Sequence, residues 1–312
     1  MPQPRPKRDD APFRGAAFGL VFASPERIPG MAPAPENAAA DVEVRFSPVP
    51  AGLTDIAANP GAWTVLSRRR AVLDHRDIRV LVEDGARVTV DVLDPAARNV
   101  AGLLLGYGAA LVILHQRALM PLHAAAVAGP AGAALLIGGP GAGKSTLAAQ
   151  LARAGLALAG DDLVRVDFSA PAPAVHRSAG GVKLFADSAA RLAAGAPRLP
   201  GEAGKEVLAF AAGDAPWPVP LRAVFLLGWL HPADATAEIA PVAPLQALPA
   251  LRAAVARPEL VAPMGLEAAY VALLARLAAA VSCRRLHRPR SFAAAGAAVA
   301  AIAAALEEGR AP

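Results

Sequence analysis

The sequence predicts an α/β architecture in which a smaller β-rich N-terminal domain precedes a domain built around a glycine-rich phosphate loop. Three observations predict it. Short apolar–polar alternations fill the stretch before residue 95. A strand, a glycine-rich loop, a helix and a second strand follow one another between Ala133 and Asp162. The composition is 55% hydrophobic but only 4% aromatic, so the core must be built from Leu, Val, Ile and Ala. With 312 residues, two domains of ordinary size fit. They are expected at 1–117, including a connecting helix, and at 118–312.

The first forty residues are rich in Pro and Ala, with one apolar run from Phe18 to Phe22. From Asp41 the pattern changes. Asp41-Val-Glu-Val-Arg-Phe-Ser47 alternates apolar and polar residues, which puts one face on a core and reads as a strand. Ala71-Val-Leu, Ile78-Arg-Val-Leu-Val82 and Arg87-Val-Thr-Val-Asp-Val92 continue in the same style, with Asp84-Gly85 as a hairpin turn. A small, mostly antiparallel β unit is expected over residues 13 to about 95, followed by a helix from Asn99 to Gln116. No internal repeat is visible.

In the second half, Ala133-Ala-Leu-Leu-Ile137 is a continuous apolar run, as expected of a strand buried on both faces. Lys144 to Ala154 carries Leu147 and Leu151 at helical spacing, and Gly155 is a natural stop. Leu156 to Ala159 reads as a second buried strand ending at Asp161-Asp162. Leu221 to Leu227 reads as another. Leu266, Tyr270, Leu273, Leu274, Leu277 and Val281 form one helical stripe, and Ser291 can N-cap a final Ala-rich helix.

Gly138-Gly-Pro-Gly-Ala-Gly-Lys-Ser145 fits the pattern G-x-x-x-x-G-K-[ST]. Glycines let successive backbone N–H groups converge on phosphate oxygens, and the following helix turns its partly positive end toward the same anion. The binding segment is therefore Gly138, Gly139, Pro140, Gly141, Ala142, Gly143, Lys144, Ser145 and Thr146. Lys144 is expected to reach the terminal phosphates of ATP, and Ser145 to coordinate Mg²⁺. Asp161 and Asp162 should lie at the same sheet edge, on opposite sides of a strand. One can then accept a proton from an attacking hydroxyl while the other orients Mg²⁺ or its water.

Only four lysines occur, Lys7, Lys144, Lys183 and Lys205, in a chain that otherwise uses Arg. This makes Lys183 and Lys205 further candidates for phosphate contacts. His123 precedes the apolar strand that leads into the loop, whereas His75, His115, His176, His231 and His287 earn no role. The clusters Arg68-Arg69-Arg70 and Arg284, Arg285, Arg288, Arg290 lack interleaved aromatics and read as solvated faces. The net charge of +5 thus gives no case for nucleic acid. Cys283 is the only cysteine, which excludes an intrachain disulfide and points to a buried structural thiol. Val100 to Leu114 and Phe292 to Leu306 are apolar but shorter than the roughly 20 residues a membrane span needs, so both are expected as buried helices. With no secretory signal visible at the N-terminus, a cytoplasmic location is expected.

Leu122-His-Ala-Ala-Ala-Val127, the loop Gly138 to Thr146, and Gly155-Leu-Ala-Leu-Ala-Gly-Asp-Asp162 together resemble the catalytic domain of HPr kinase/phosphorylase and its kinase-like relatives. Looser similarity covers about 118 to 305. The resemblance implies a P-loop kinase fold of the HPr kinase / phosphoenolpyruvate carboxykinase type, ATP and Mg²⁺ as cofactors, and a peptide or protein substrate bearing a serine. It implies Asp161 as general base, with Asp162 and His123 supporting it, and a homo-oligomer as in the bacterial enzyme. Lys144 and Asp161 would carry the transfer, and Ser145 and Asp162 would hold the metal. The stretch Arg177-Ser-Ala-Gly-Gly-Val-Lys-Leu lacks the acidic, arginine-containing motif associated with phosphorylase activity. Neither that activity nor the HPr protein as acceptor therefore follows. An ATP-binding regulatory module and a small-molecule kinase stand as alternatives.

Overall fold

The computed structural model describes residues 12–54, 61–192, 197–199, 205–208, 217–230, 237–292 and 295–307. Lys7 and His231 lie outside the described residues. The chain is mixed α/β, with two large sheets and a small three-stranded one.

The N-terminal sheet comprises β1 (Phe13–Ala17), β2 (Leu20–Ser24), β3 (Ala32–Pro33), β4 (Val42–Phe46), β5 (Trp63–Ser67), β6 (Arg70–His75), β7 (Ile78–Glu83) and β8 (Arg87–Val92). Its order is β3-β1-β2-β4-β8-β7-β6-β5. The Asp84-Gly85 turn forms as expected, with φ of 58° and 62°, the left-handed pair that matches the twist of a tight hairpin. The expected antiparallel pattern is broken at β4, which pairs parallel to both β2 and β8. Alternation specifies which side chains face the core, and that requirement is the same for either strand direction.

A helical stretch then runs from Pro95 to Gln116, with α1 (Arg98–Leu103) and α2 (Ala110–Gln116) joined by a π-helical turn at Leu104–Ala109. By length and composition it is apolar enough to cross a membrane. Its residues Ala101, Leu105 and Ala109 to Leu114 belong to one buried cluster that also holds Val80 and Val90 of the first sheet and Leu135 and Val164 of the second. This is a core helix, as expected for Val100 to Leu114.

His115 closes this helix inside the protein, wholly buried. Its Nε2 lies 2.9 Å from the Ala256 carbonyl and its Nδ1 2.9 Å from the Tyr270 hydroxyl. A carbonyl only accepts, so Nε2 carries the proton and Nδ1 accepts from the tyrosine. Burial pushes the imidazole down to about 4, against a smaller upward pull from the Ala256 carbonyl. The unfolded chain therefore binds a proton at this histidine near pH 6.5 and the folded chain near 4. The stability gained by keeping His115 neutral is fully present above pH 6.5 and is lost as pH falls toward 4. Urea unfolding at pH 7 and pH 5 should show a larger acid loss for the native chain than for His115→Gln.

The second sheet is built from β9 (Pro121–Leu122), β10 (Ala125–Gly129), β11 (Gly132–Ile137), β12 (Ala157–Gly160), β13 (Val164–Asp167), β14 (Ala174–Val175), β15 (Val219–Leu230), β16 (Glu238–Pro241) and β17 (Ser282–Pro289). Its path runs β12-β10-β11-β15-β14-β13-β9, with β17 beside β15 and β16 beside β17. β11, β15 and β17 are mutually parallel. β10 is antiparallel to both β11 and β12, so β12 runs the same way as β11. Four strands thus end at one edge.

The alternation along β11 explains its unbroken apolar run. Ala133, Leu135 and Ile137 face the cluster shared with the N-terminal sheet, and Ala134 and Leu136 face a second one. That second cluster includes Leu147 and Leu151 of α3 (Lys144–Arg153), Phe225 and Leu286, and Ala298, Ile302 and Leu306 of the final helix, Ala295–Glu307. Whether Ser291 caps that helix lies outside the described residues, because 293–294 separate it from Ala295. It lies before the helix start at Ala295, with its N–H bonded to the Pro289 carbonyl. The stripe from Leu266 forms the helix Glu267–Ala280, with Leu266 at its N-cap and Val281 just beyond its end. Cys283 is buried, and burial raises its thiol.

Candidate functional site

The parallel register of β11, β15 and β17 delivers three loops to one edge, and β12 adds a fourth. This is where ligands settle in open α/β sheets. Around it lies a cavity of about 590 Å³ lined by the glycine-rich loop, Asp161, Asp162, His123, Lys183, Lys205, Trp229, Arg288 and Arg290.

The loop from Gly138 leads directly into α3, whose N-cap is Gly143. Gly143 adopts φ 76°, and a Cβ there would lie 2.6 Å from Arg288 Nη2. Both the backbone twist and the crowding require glycine. Lys144 Nζ turns back on its own loop, donating to the carbonyls of Gly138 at 2.8 Å and Gly139 at 3.4 Å. Burial lowers its pKa, against the opposing pull of Asp161 and Asp162.

The aspartates do not sit on the strand. β12 ends at Gly160, and Asp161 and Asp162 form the bend that follows, with Asp162 at φ 73°. Their inequivalence therefore comes from this left-handed residue rather than from strand alternation. Asp161 is buried, and its carboxylate accepts from the Ser145 hydroxyl at 3.0 Å and from the Lys183 amide at 2.9 Å. Burial pushes it up to about 6, the Lys183 amide pulls it back, and the neighbouring Asp162 charge adds to the rise. Asp162 behaves in the opposite way. Burial would raise it, but His123 at 2.9 Å and Lys183 Nζ at 2.7 Å outweigh that and hold it well below the usual carboxylate range.

His123 Nδ1 also lies 3.2 Å from the Asp162 carbonyl. Both partners are acceptors, so Nδ1 is the protonated nitrogen and the ring is fixed against the bend. Lys183 Nζ sits 4.4 Å over the ring of Tyr107, which comes from the π-helical turn. Lys183 lies on the small sheet formed by Val182–Leu184, Glu206–Leu208 and Arg198–Leu199. Lys205 Nζ stands 5.0 Å over Phe185 at the mouth of the same cavity. The candidate residues Lys144, Ser145, Asp161, Asp162, His123, Lys183 and Lys205 are thus brought together.

The Ser145 hydroxyl and the two carboxylates are hard oxygen donors. Mg²⁺ takes one or two carboxylates and completes its shell with phosphates and water, so this donor set suits it. Among the described residues no group of three or more His, Cys, Asp or Glu side chains could hold a metal ion unaided. The Ser145 hydroxyl donates to Asp161, while Asp162 faces His123 and Lys183.

Two further side chains bind the loop through its carbonyls. Arg288 was grouped with three solvated arginines, yet it is 4% exposed and its Nη2 donates to the carbonyls of Ala142 and Gly143. Trp229 Nε1 donates to the Gly141 carbonyl at 3.1 Å, and the Arg288 guanidinium stacks 4.4 Å above its ring. A tryptophan two positions after the apolar run Leu221 to Leu227 was the available signal.

No protein-family model matches the chain, and no curated protein does. Among solved structures, the chain is similar to the HPr(Ser) kinase/phosphatase of Coxiella burnetii at 10% identity, with a TM-score of 0.31, over 61% of this chain and 95% of that one.

Proposed function

We propose that the protein is an ATP-dependent, Mg²⁺-requiring serine kinase of the HPr-kinase-like type, acting on a peptide or protein. One observation carries this reading. A glycine-rich loop with its lysine, and two aspartates whose acidities are driven apart, converge on one cavity large enough for a nucleotide.

Lys144 leaves the Gly138 and Gly139 carbonyls to meet the terminal phosphates, and the loop amides receive the remaining phosphate oxygens. Mg²⁺, when bound beside Ser145, supplies charge neutralisation on the β- and γ-phosphates. Asp161, with a pKa of about 6, takes the proton of the acceptor hydroxyl while remaining ionised at neutral pH. The acceptor oxygen bonds to the γ-phosphorus, the bond to the β–γ bridging oxygen breaks, and ADP leaves. Asp162, kept anionic by Lys183 and His123, holds these two side chains at the edge of the reacting phosphate.

A second reading, a nucleotide-holding module with little transfer, draws on the two hydrogen bonds that Asp161 already accepts. Incubation with γ-labelled ATP, Mg²⁺ and host lysate separates the two. Label should appear on a discrete peptide or protein and vanish with Lys144→Ala. Tight ATP binding without transfer in any fraction would favour the holding module.

A further inference from the structure

Resting on the reading of this loop as a phosphate site, we infer that Trp229 and Arg288 are positioning residues. They grip the carbonyl side of the glycine-rich loop so that its amides are turned toward the anion before it arrives.

The geometry follows from the planarity of the peptide bond. In a trans peptide the C=O and the following N–H point in opposite directions. Trp229 Nε1 holds the Gly141 carbonyl, and Arg288 Nη2 holds those of Ala142 and Gly143. Three successive carbonyls are therefore fixed outward. The amide after the first closes a turn, Ala142 N–H to Gly139 O at 3.1 Å. The next two, of Gly143 and Lys144, face away from the guanidinium, on the side where a phosphate would lie.

The clamp is built from rigid parts. Trp229 and Arg288 are partners in the parallel register of β15 and β17, so their side chains are carried to the loop by adjacent paired strands. Arg288 is buried and stacked on the indole, and its Nη1 has no hydrogen-bond partner among the described residues. A buried guanidinium without a carboxylate is costly to keep. Here its charge lies directly behind the peptide units that would meet an anion, and hydrogen bonding to their carbonyls polarises the amides on the other side. Burial draws the Arg288 pKa down to about 10, which leaves it charged at neutral pH.

The test is calorimetric binding of ADP and of inorganic tripolyphosphate to the full chain and to Trp229→Phe and Arg288→Gln, with thermal melts alongside. Trp229→Phe keeps an aromatic ring and removes one donor, so it remains informative if Arg288→Gln does not fold. A lost hydrogen bond of this kind is expected to weaken both ligands by about tenfold, and by similar factors, because the shaped amides serve any polyphosphate. Weakened ADP with unchanged tripolyphosphate would assign the two residues to the nucleoside instead and overturn the clamp. Unchanged binding of both ligands would overturn it as well. A native chain that binds neither ligand would sink the phosphate-site reading itself, a result separable from the other two.

Discussion

Asp161→Asn is expected to lower turnover by about 10²–10⁴-fold, the usual contribution of a positioned base, while ADP affinity stays within a few-fold of native. The amide oxygen can still accept from the Lys183 N–H while its NH2 donates to the Ser145 hydroxyl oxygen, so the loop should remain assembled. In the native protein kcat/KM should fall on the acid side as Asp161 takes up a proton near pH 6, because that ratio reports ionisations of the free enzyme. The variant should lack this limb. The Ser145–Asp161 hydrogen bond sets up a distinct alternative, in which Asp161 serves the cation and Asp162 with His123 faces the acceptor. In that case Asp161→Asn would raise the Mg²⁺ requirement and recover activity at high Mg²⁺, and Asp162→Asn would carry the loss of turnover. A variant as active as native at every pH and Mg²⁺ concentration would remove Asp161 from the chemistry.

Phe225→Ala is expected to cost about 3–5 kcal/mol of stability, the range for deleting a wholly buried aromatic side chain. Phe225 lies in the middle of β15, between β11 and β17, and belongs to the cluster holding Leu147 of α3 and Ile302 of the final helix. The cavity would open beneath the helix that carries Lys144 and Ser145. Denaturant unfolding should therefore show a lower midpoint at an unchanged slope. A loss below about 1 kcal/mol would mean that the final helix collapses into the space.

Sequence resolved some parts of the site better than others. The loop, the strand before it and the helix after it were legible because each is local: glycines, an apolar run, and leucines at helical spacing. The joint position of Asp161 and Asp162 beside the loop was legible for the same reason. Arg288 and Trp229 were not. They meet the loop only through the parallel pairing of β15 and β17, and nothing in the periodicity of either strand names its neighbour. The arginine cluster also misled by composition. Arg288 and Arg285 lie on opposite faces of β17, and Arg288 is buried while Arg285 stays exposed. The parallel insertion of β4 and the π-helical turn that presents Tyr107 escaped for similar reasons, since both depend on contacts made after the chain has folded.

The core helix has a further consequence. Its apolar faces are shared between the N-terminal sheet and the sheet that carries the loop. The first sheet is therefore not an appendage that could tilt independently to admit or exclude a partner. A cut near residue 117 would leave Leu111, Ile113 and Leu114 on one fragment and cluster members such as Leu135 and Val164 on the other. The surface of the N-terminal strands is therefore held at a fixed bearing to the glycine-rich loop. Under the proposed kinase reading, an acceptor docked on those strands would have its hydroxyl set at a fixed distance from the loop, as on a ruler.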